Sequence, residues 1–370
     1  MKFNCNQQVL SKALNTVSKA VTTRTTIPIL KGILIETKEN QITFSASDLD
    51  ISIEKTIEAN VDIKGSTVVS AKLFTDIIKK LPNENIFVEL IDDNNLLIKT
   101  AHSEFTIVGQ SSDEFPNIGE MSEVKTRMLF DKEIFKSMIK KTFFSSSIDD
   151  SKGIITGVLL EIEENNFNMI ALDGFRMAIC RESMKNEKVG NIIIQGKTLG
   201  EILKILTESE DESDIEILIG DKKALILIEN TKISITLMNG EFVNYENILP
   251  KECSTKIILN KSDFLIGIER ASLLAKEGKN NLIKCSIEEN LLTINSRSEE
   301  GMVKEDIIIE KTGSDVEIGF NSKYISEALK AIDDENISIE FNTAVTPCLI
   351  KPIEGNNYEY LILPVRISSN

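Results

Sequence analysis

Three stretches of the chain alternate apolar and polar residues with a period of two: "GILIETKENQITFSASDLDISIE" (32–54), "GVLLEIEENNFNMIALDGFRMAI" (157–179) and "IKCSIEENLLTINSRSEEGMVKEDI" (283–307). Successive side chains of an extended chain point to opposite faces, so this alternation predicts strands with one buried face. The Asn, Asp and Gly residues between the runs predict tight hairpins. Two more hairpin stretches follow, "NIFVELIDDNNLLIKTAHSEFTIVG" (85–109) and "DIEILIGDKKALILIENTKISITLM" (214–238). A period near 3.6 takes over in six windows, 7–20, 71–80, 131–142, 197–206, 262–276 and 321–332, which predict amphipathic helices. Their apolar faces are Leu73, Phe74, Ile77, Ile78 and Leu81 in the second window, Leu199, Ile202, Leu203 and Leu206 in the fourth, and Ile325, Ala328, Leu329 and Ile332 in the sixth. Many short strands with few helices point to an α+β fold rather than a doubly wound parallel sheet.

The elements repeat. "VVSAKLFTDIIKKL" (68–81), "VGNIIIQGKTLGEILKIL" (189–206) and "EIGFNSKYISEALKAI" (317–332) are each an apolar strand, a polar turn and an amphipathic helix. Lys72, Lys197 and Lys323 hold one slot at intervals of 125 and 126, and Lys79, Lys204 and Lys330 follow each seven residues later. Seven residues is close to two helical turns, so each pair shares one face. The chain is therefore about three copies of one unit, each with two helices and many antiparallel strands. We place the boundaries at 1–121, 122–250 and 251–370, joined by short linkers that predict rigid coupling.

Charge follows the same division. The chain carries 42 Lys and Arg against 58 Asp and Glu, a net −16. The six helical windows hold 15 basic and 7 acidic residues, net +8, which leaves −24 for everything else. A basic surface within an acidic body suits a polyanion held in a concavity. Only Tyr324 interleaves the helical lysines among aromatics, so single-strand stacking is not the mode, and lysines on phosphates bind without reading sequence.

The remaining motifs exclude more than they assign. Gly196-Lys197-Thr198 resembles the end of a phosphate-binding loop, but the residues before it are Asn191-Ile192-Ile193-Ile194-Gln195, which predict a strand. One histidine, His102, in a polar stretch, excludes a His-rich metal site and argues against Ser-His-Asp or Cys-His catalysis. Five dispersed cysteines predict reduced, mostly buried thiols. No apolar run reaches the ~18 residues of a membrane helix, and the N-terminus has no signal-peptide pattern. "DGFR" (173–176) is open between a hairpin turn, with Phe175 in the core and Arg176 in an ion pair, and an Asp173/Arg176 acid and ion clamp of an enzyme. A purely structural repeat scaffold is the third alternative, and it does not account for lysines at a fixed period.

Across its whole length the chain resembles the bacterial DNA polymerase III β subunit family, the sliding clamps. The motifs that carry the resemblance are "MKF" at the start, "RTTIPIL" (24–30), "SASDLDISI" (45–53), "DEFPNI" (113–118), "ALDGFRMA" (171–178), "LPK" (249–251), "EIGFNSKYISEAL" (317–329) and "YLILPVRI" (360–367). The resemblance implies three topologically alike domains, and two chains closed head to tail into a ring whose helices line a hole and whose sheets face outward. It implies no catalysis, no cofactor and no metal. The implied partners are a second copy, double-stranded DNA, the replicative polymerase, an ATP-driven clamp loader and other proteins bearing the clamp-binding peptide, with no membrane and a cytoplasmic location. It implies that Arg24, Lys72, Lys79, Lys197, Lys204, Asn321, Lys323, Tyr324 and Lys330 face DNA. It assigns a partner-peptide groove to Ile155, Leu172, Gly174, Phe175, Arg176, Met177, Val243, Ile248, Leu361, Leu363, Pro364, Val365 and Arg366, with the two arginines at its edge. It places Phe105 and Ile107 of one chain against Leu273 and Leu274 of the other. The sequence departs from the family at Phe175, where His is frequent, and at Val243, where Pro is common.

Overall fold

The computed structural model describes all residues except 23, 24, 93, 117–120, 122, 278 and 368–370. Each predicted helical window holds a helix: α1 (Gln7–Val17), α2 (Ala71–Lys80), α3 (Lys132–Thr142), α4 (Gly196–Glu208), α5 (Lys261–Ala275) and α6 (Ser322–Ala331). Asparagine, serine or aspartate starts most of them. Asn6, Ser70, Asn260 and Asn321 accept from backbone amides in the first turns of α1, α2, α5 and α6. Asp131 does the same for Ile134 at the start of α3. These side chains satisfy amides that have no partner within the helix.

Every strand pairing among the described residues is antiparallel, and the strands form sheets of thirteen, nine and four. By its contacts the chain falls into two units, Met1–Phe135 with Glu201–Leu237 and Lys136–Gly200 with Met238–Asn370. The middle third of the sequence is shared between them because its strands enter two different sheets. Thr231–Thr236 pairs with Ile51–Glu58 in the first unit, Ile233 opposite Ile53. Arg176–Ser183 pairs with Tyr358–Ile362 in the second, Met177 opposite Leu361.

In the first unit α1 buries Leu10, Leu14 and Val17, and α2 buries Phe74 and Ile78, all fully covered. In the second, Phe264, Ile268, Ile325, Leu329 and Ile332 of the helical segments pack with Ala178, Ile350, Tyr358 and Tyr360 of the nine-stranded sheet. The sixth helical face is as predicted. Leu73 is not part of the second: it is 49% exposed, because the buried stripe of α2 runs Ala71, Phe74, Thr75, Ile78 and leaves Leu73 beside Lys72. In the fourth, Ile205 rather than Leu203 completes the buried stripe.

The strand Gly190–Gln195 runs directly into α4 at Gly196. A Cβ at Gly196 would collide with Ser146 Oγ and crowd the carbonyl of Thr156, so this glycine is packed against protein and cradles no phosphate. Four cysteines are buried and Cys253 is exposed, all as free thiols. Burial pushes the Cys180 thiol up to about 11 and that of Cys285 up to about 12, which leaves both protonated and unreactive at neutral pH.

Candidate functional site

Strand parity builds an apolar floor in the second unit. Leu172 lies opposite Met177, Met177 opposite Leu361, and Leu361 opposite Leu349. The next row on the same face is Ile193, Leu159, Ile170 and Ile179. Together with Tyr245 these residues form one buried cluster. Ile154, Ile155, Met238, Phe242, Leu249 and Leu363 lie partly buried against it. Val243 and Ile248, next in the chain to Phe242 and Leu249, stand 38% and 40% exposed, large apolar side chains left in water.

The hairpin at 173–176 joins the two strands that carry Leu172 and Met177. Gly174 has φ 92°, a left-handed conformation that glycine adopts without strain. Asp173 Oδ1 accepts from the amides of Phe175 at 2.9 Å and Arg176 at 3.1 Å, and its Oδ2 accepts from Arg176 Nε at 3.1 Å. Arg176 also donates Nη2 to the carbonyl of Phe144 at 2.7 Å and Nη1 to Glu327. Its guanidinium lies over the rings of Tyr324 at 4.7 Å and Phe144 at 5.3 Å. The turn-and-ion-pair alternative is therefore the observed one in its arginine, and Asp173 is fully used in holding the turn rather than poised as an acid.

For this hairpin one open alternative fails in its phenylalanine, and one expectation, for its arginine, is corrected. Phe175 is 52% exposed, outside the core, and stacks on Tyr324 with ring centroids 6.1 Å apart. Arg176 is 8% exposed, a buried post behind the hairpin rather than a charge at the edge. Arg176 is tolerated inside because each of its three guanidinium nitrogens has an acceptor. Lys152, which the sequence did not single out, donates to the carbonyl of Asp173 at 3.3 Å and lies over the Phe175 ring, 5.4 Å from its centroid.

The C-terminal segment lies against this hairpin. Leu363 donates its amide to the carbonyl of Phe175 at 2.9 Å, and Val365 donates to the carbonyl of Gly319 at 2.8 Å. A Cβ on Gly319 would come within 2.5 Å of the Val365 oxygen, so glycine is what lets the segment lie down here. Pro364 is half-buried, and Arg366 is exposed. Of the residues assigned to the groove, Leu172, Met177 and Leu361 belong to the buried cluster and Ile155 and Leu363 pack against it, whereas Gly174 and Phe175 lie in the hairpin and Pro364, Val365 and Arg366 follow Leu363 in the chain. The residues that sequence reasoning missed, Ile170, Ile179, Ile193, Leu349, Phe242 and Tyr245, were partly announced: Ile170 and Ile179 share parity with Leu172 and Met177.

The repeated lysines are all exposed, two per helix on α2, α4 and α6. Several are tied to carboxylates: Lys204 to Glu201 at 2.8 Å, Lys330 to Glu269 at 2.8 Å and Lys323 to Glu327 at 3.9 Å. Exposed pairs of this kind contribute little, ~0–1 kcal/mol, and yield readily to a phosphate. Asn321 caps α6, and Tyr324 is committed to the Arg176 bed, where burial raises its hydroxyl pKa. Arg24 lies outside the described residues.

Among the described strands with an open edge, two matter for the first and third copies of the repeat. Glu104–Gln110 pairs with Asn95–Lys99 and, on its other side, with Gly65–Ser70 only at Gly109 and Gln110. Gly301–Ile308 is the last strand of the four-stranded sheet. Phe105 is 40% exposed and Leu273 68%, whereas Ile107, at 6%, points into its own unit. Leu274 is half-buried.

Among the described residues no three His, Cys, Asp or Glu side chains gather as a metal site, and no helix is long and apolar enough to cross a membrane. Three family models match in order: the N-terminal domain of the DNA polymerase III beta subunit at residues 1–119, its central domain at 130–244 and its C-terminal domain at 246–366. The chain is 36% identical to the beta sliding clamp of Staphylococcus epidermidis over 99% of both proteins. Its fold is similar to the crystal structure of the Bacillus subtilis DNA polymerase sliding clamp, with a TM-score of 0.94, 32% identity and full coverage of both chains. The Thermotoga maritima DNA polymerase III beta subunit aligns with a TM-score of 0.92 at 26% identity, over 99% of this chain and 100% of that one. A triplicated α+β unit, matched domain by domain along its length, makes this chain a member of the DNA polymerase III beta subunit family, the bacterial sliding clamps.

Proposed function

We propose that two copies of this chain close into a ring around duplex DNA, and that the groove beside the 173–176 hairpin tethers the replicative polymerase through an extended peptide. The work is topological and non-catalytic. The ring keeps the polymerase on its template, and an ATP-driven loader opens it, so no nucleotide site is needed here. Other proteins carrying the same peptide use the same groove, in the cytoplasm where the chromosome lies.

One observation carries the ring. Each copy of the repeat has a strand that follows its long hairpin: Ile51–Glu58, Arg176–Ser183 and Gly301–Ile308. Each also has a closing strand: Glu104–Gln110, Thr231–Thr236 and Tyr358–Ile362. The first strand of copy one pairs with the closing strand of copy two, and that of copy two with the closing strand of copy three. Gly301–Ile308 and the closing strand of copy one remain with open edges. Bare edges invite strand addition, and a second chain offers the complementary pair, so the same junction made twice more closes two chains into a six-domain ring. Phe105 of one chain and Leu273 and Leu274 of the other flank that junction.

The lysines of α2, α4 and α6 supply weak, sequence-blind phosphate contacts. Tight ones would stop sliding, whereas loss by dissociation is prevented by closure. Loading onto a nicked circle followed by linearisation tests this: the ring should stay on the circle and leave the free ends, and a protein retained on linear DNA overturns the reading. Reversing Lys72 and Lys197 to Glu should lower the salt-dependence slope of DNA binding by roughly two, about one for each phosphate no longer neutralised. An unchanged slope counts against this orientation.

A further inference from the structure

The three copies of the repeat superpose through their ladders of strand partners. Lys2, Arg127 and Lys256 each stand five residues before the first residue of a helix, α1, α3 and α5. From Lys2 the cross-strand partners run Glu89, Leu97, Thr106. From Arg127 they run Leu218, Leu225, Ser234, and from Lys256 they run Glu340, Leu349, Leu361. Thr106, Ser234 and Leu361 are therefore equivalent positions of the three closing strands. The other strand of each junction is equally regular: Ile51–Glu58, Arg176–Ser183 and Gly301–Ile308 are each 8 residues long and begin at one interval of 125 residues.

Both junctions inside the chain use one register. Ser234 lies opposite Ser52 and Leu361 opposite Met177, the second residue of the strand each time. The same register at the open edges sets Thr106 of one chain opposite Met302 of another, Phe105 opposite Val303 and Glu104 opposite Lys304. The row of Phe105 and Val303 corresponds to Ile233 and Ile53, both fully buried. The row of Glu104 and Lys304 corresponds to Lys232 and Glu54, which form an ion pair across the first junction at 3.5 Å. The open edges thus carry the same two charges in the same row with the signs exchanged. A slip of two residues, which keeps the buried face of each strand, would set Glu104 against Met302 or against the like charge of Asp306.

We propose that the open edges of two copies of this chain pair in this register, and that Glu104 of one chain and Lys304 of the other form the ion pair that selects it. The proposal rests on the ring reading above. On their own chain the two side chains are held by exposed partners, Glu104 by Lys99 at 3.1 Å and Lys304 by Asp306 at 2.9 Å. Such pairs contribute little, so both charges are free to add a partner across the junction. Opposite charges directly across a strand pair stabilise it and like charges oppose it, and a ring of two chains makes the contact twice.

Glu104→Lys and Lys304→Glu, studied singly and mixed by sedimentation equilibrium of the full chain, test this. Each variant alone sets like charges opposite each other at both junctions, and its dimer should dissociate roughly five- to thirtyfold more readily than the parent's. A mixture of the two should recover dimers. With one variant labelled, these should be heterodimers, because both of their junctions then join opposite charges. Recovery in the mixture also shows that neither substitution unfolds the protein. Variants that dimerise as the parent does, or that weaken without recovering in the mixture, overturn the register and its ion pair and leave the ring reading intact. A parent chain that stays monomeric at micromolar concentration overturns the ring reading, and this proposal with it.

Discussion

The chain makes one turn twice, in two settings. In the first unit Asp48 Oδ1 accepts from the amides of Asp50 at 3.0 Å and Ile51 at 2.8 Å, and Asp48 N donates to the Ile51 carbonyl at 3.1 Å. In the second, Asp173 holds Phe175 and Arg176 in the same way. The carbonyl before the strand then receives an amide from the closing strand of the next copy, Thr236 onto Asp50 at 2.8 Å and Leu363 onto Phe175 at 2.9 Å. Two residues differ in consequence. The left-handed position is Leu49 at φ 78° in one and Gly174 at φ 92° in the other. The first strand residue is Ile51, simply buried, in one and Arg176, buried among partners, in the other. The backbone device is thus common to the first two copies, and the buried arginine with its aromatic bed is added to it in the second.

Removing Leu363–Asn370 should give the largest effect. It takes away the segment that meets Phe175 and Gly319 but none of the six helices, so binding of a Gln-Leu-x-Leu-Phe peptide should be lost while the dimer persists. Unchanged calorimetric affinity would place the partner site elsewhere. Arg176→Met should come next. It leaves Glu327, Asp173 Oδ2 and the Phe144 carbonyl without their cation, and breaking a buried pair from one side costs about 3–5 kcal/mol. The matching Ile51→Val in the other turn should cost only about 1 kcal/mol. Comparable losses in the two variants, read from denaturant midpoints, would show that Arg176 is not the post of its hairpin. Smallest is the exchange at the left-handed position. Leu49→Gly should be neutral to stabilising by up to about 1 kcal/mol, since strain relief exceeds the added chain entropy. Gly174→Leu should cost about 1–2 kcal/mol in backbone strain alone, because nothing lies within 4 Å of a Cβ built there. A stability loss in Leu49→Gly as large as that in Gly174→Leu would mean that the Leu49 side chain, 53% exposed, does more than fill the position.

By itself the sequence determined the periodic features of this protein. Six helices, the antiparallel hairpins and the triplication follow from where apolar residues recur, because periods of 3.6 and 2 are geometric consequences of the backbone. The strand before Gly196, and with it the failure of the nucleotide-loop reading, followed from the same signal. The apolar cluster beneath the proposed groove was legible in part: Leu172, Met177 and Leu361 came from motif resemblance, and parity alone extends Leu172 and Met177 to Ile170 and Ile179. Tertiary structure decided what depends on non-local neighbours. Nothing in "DGFR" says that Phe175 faces water and Arg176 lies inside. That was settled by Phe144, Tyr324 and Glu327, 32 or more residues from Arg176 in the chain, which supply a cation with acceptors and aromatic faces. Leu73 likewise obeyed the wider apolar pattern but lay outside the narrow stripe that α2 could bury. A pattern specifies which face is apolar, and only packing fixes how wide a strip of it is covered.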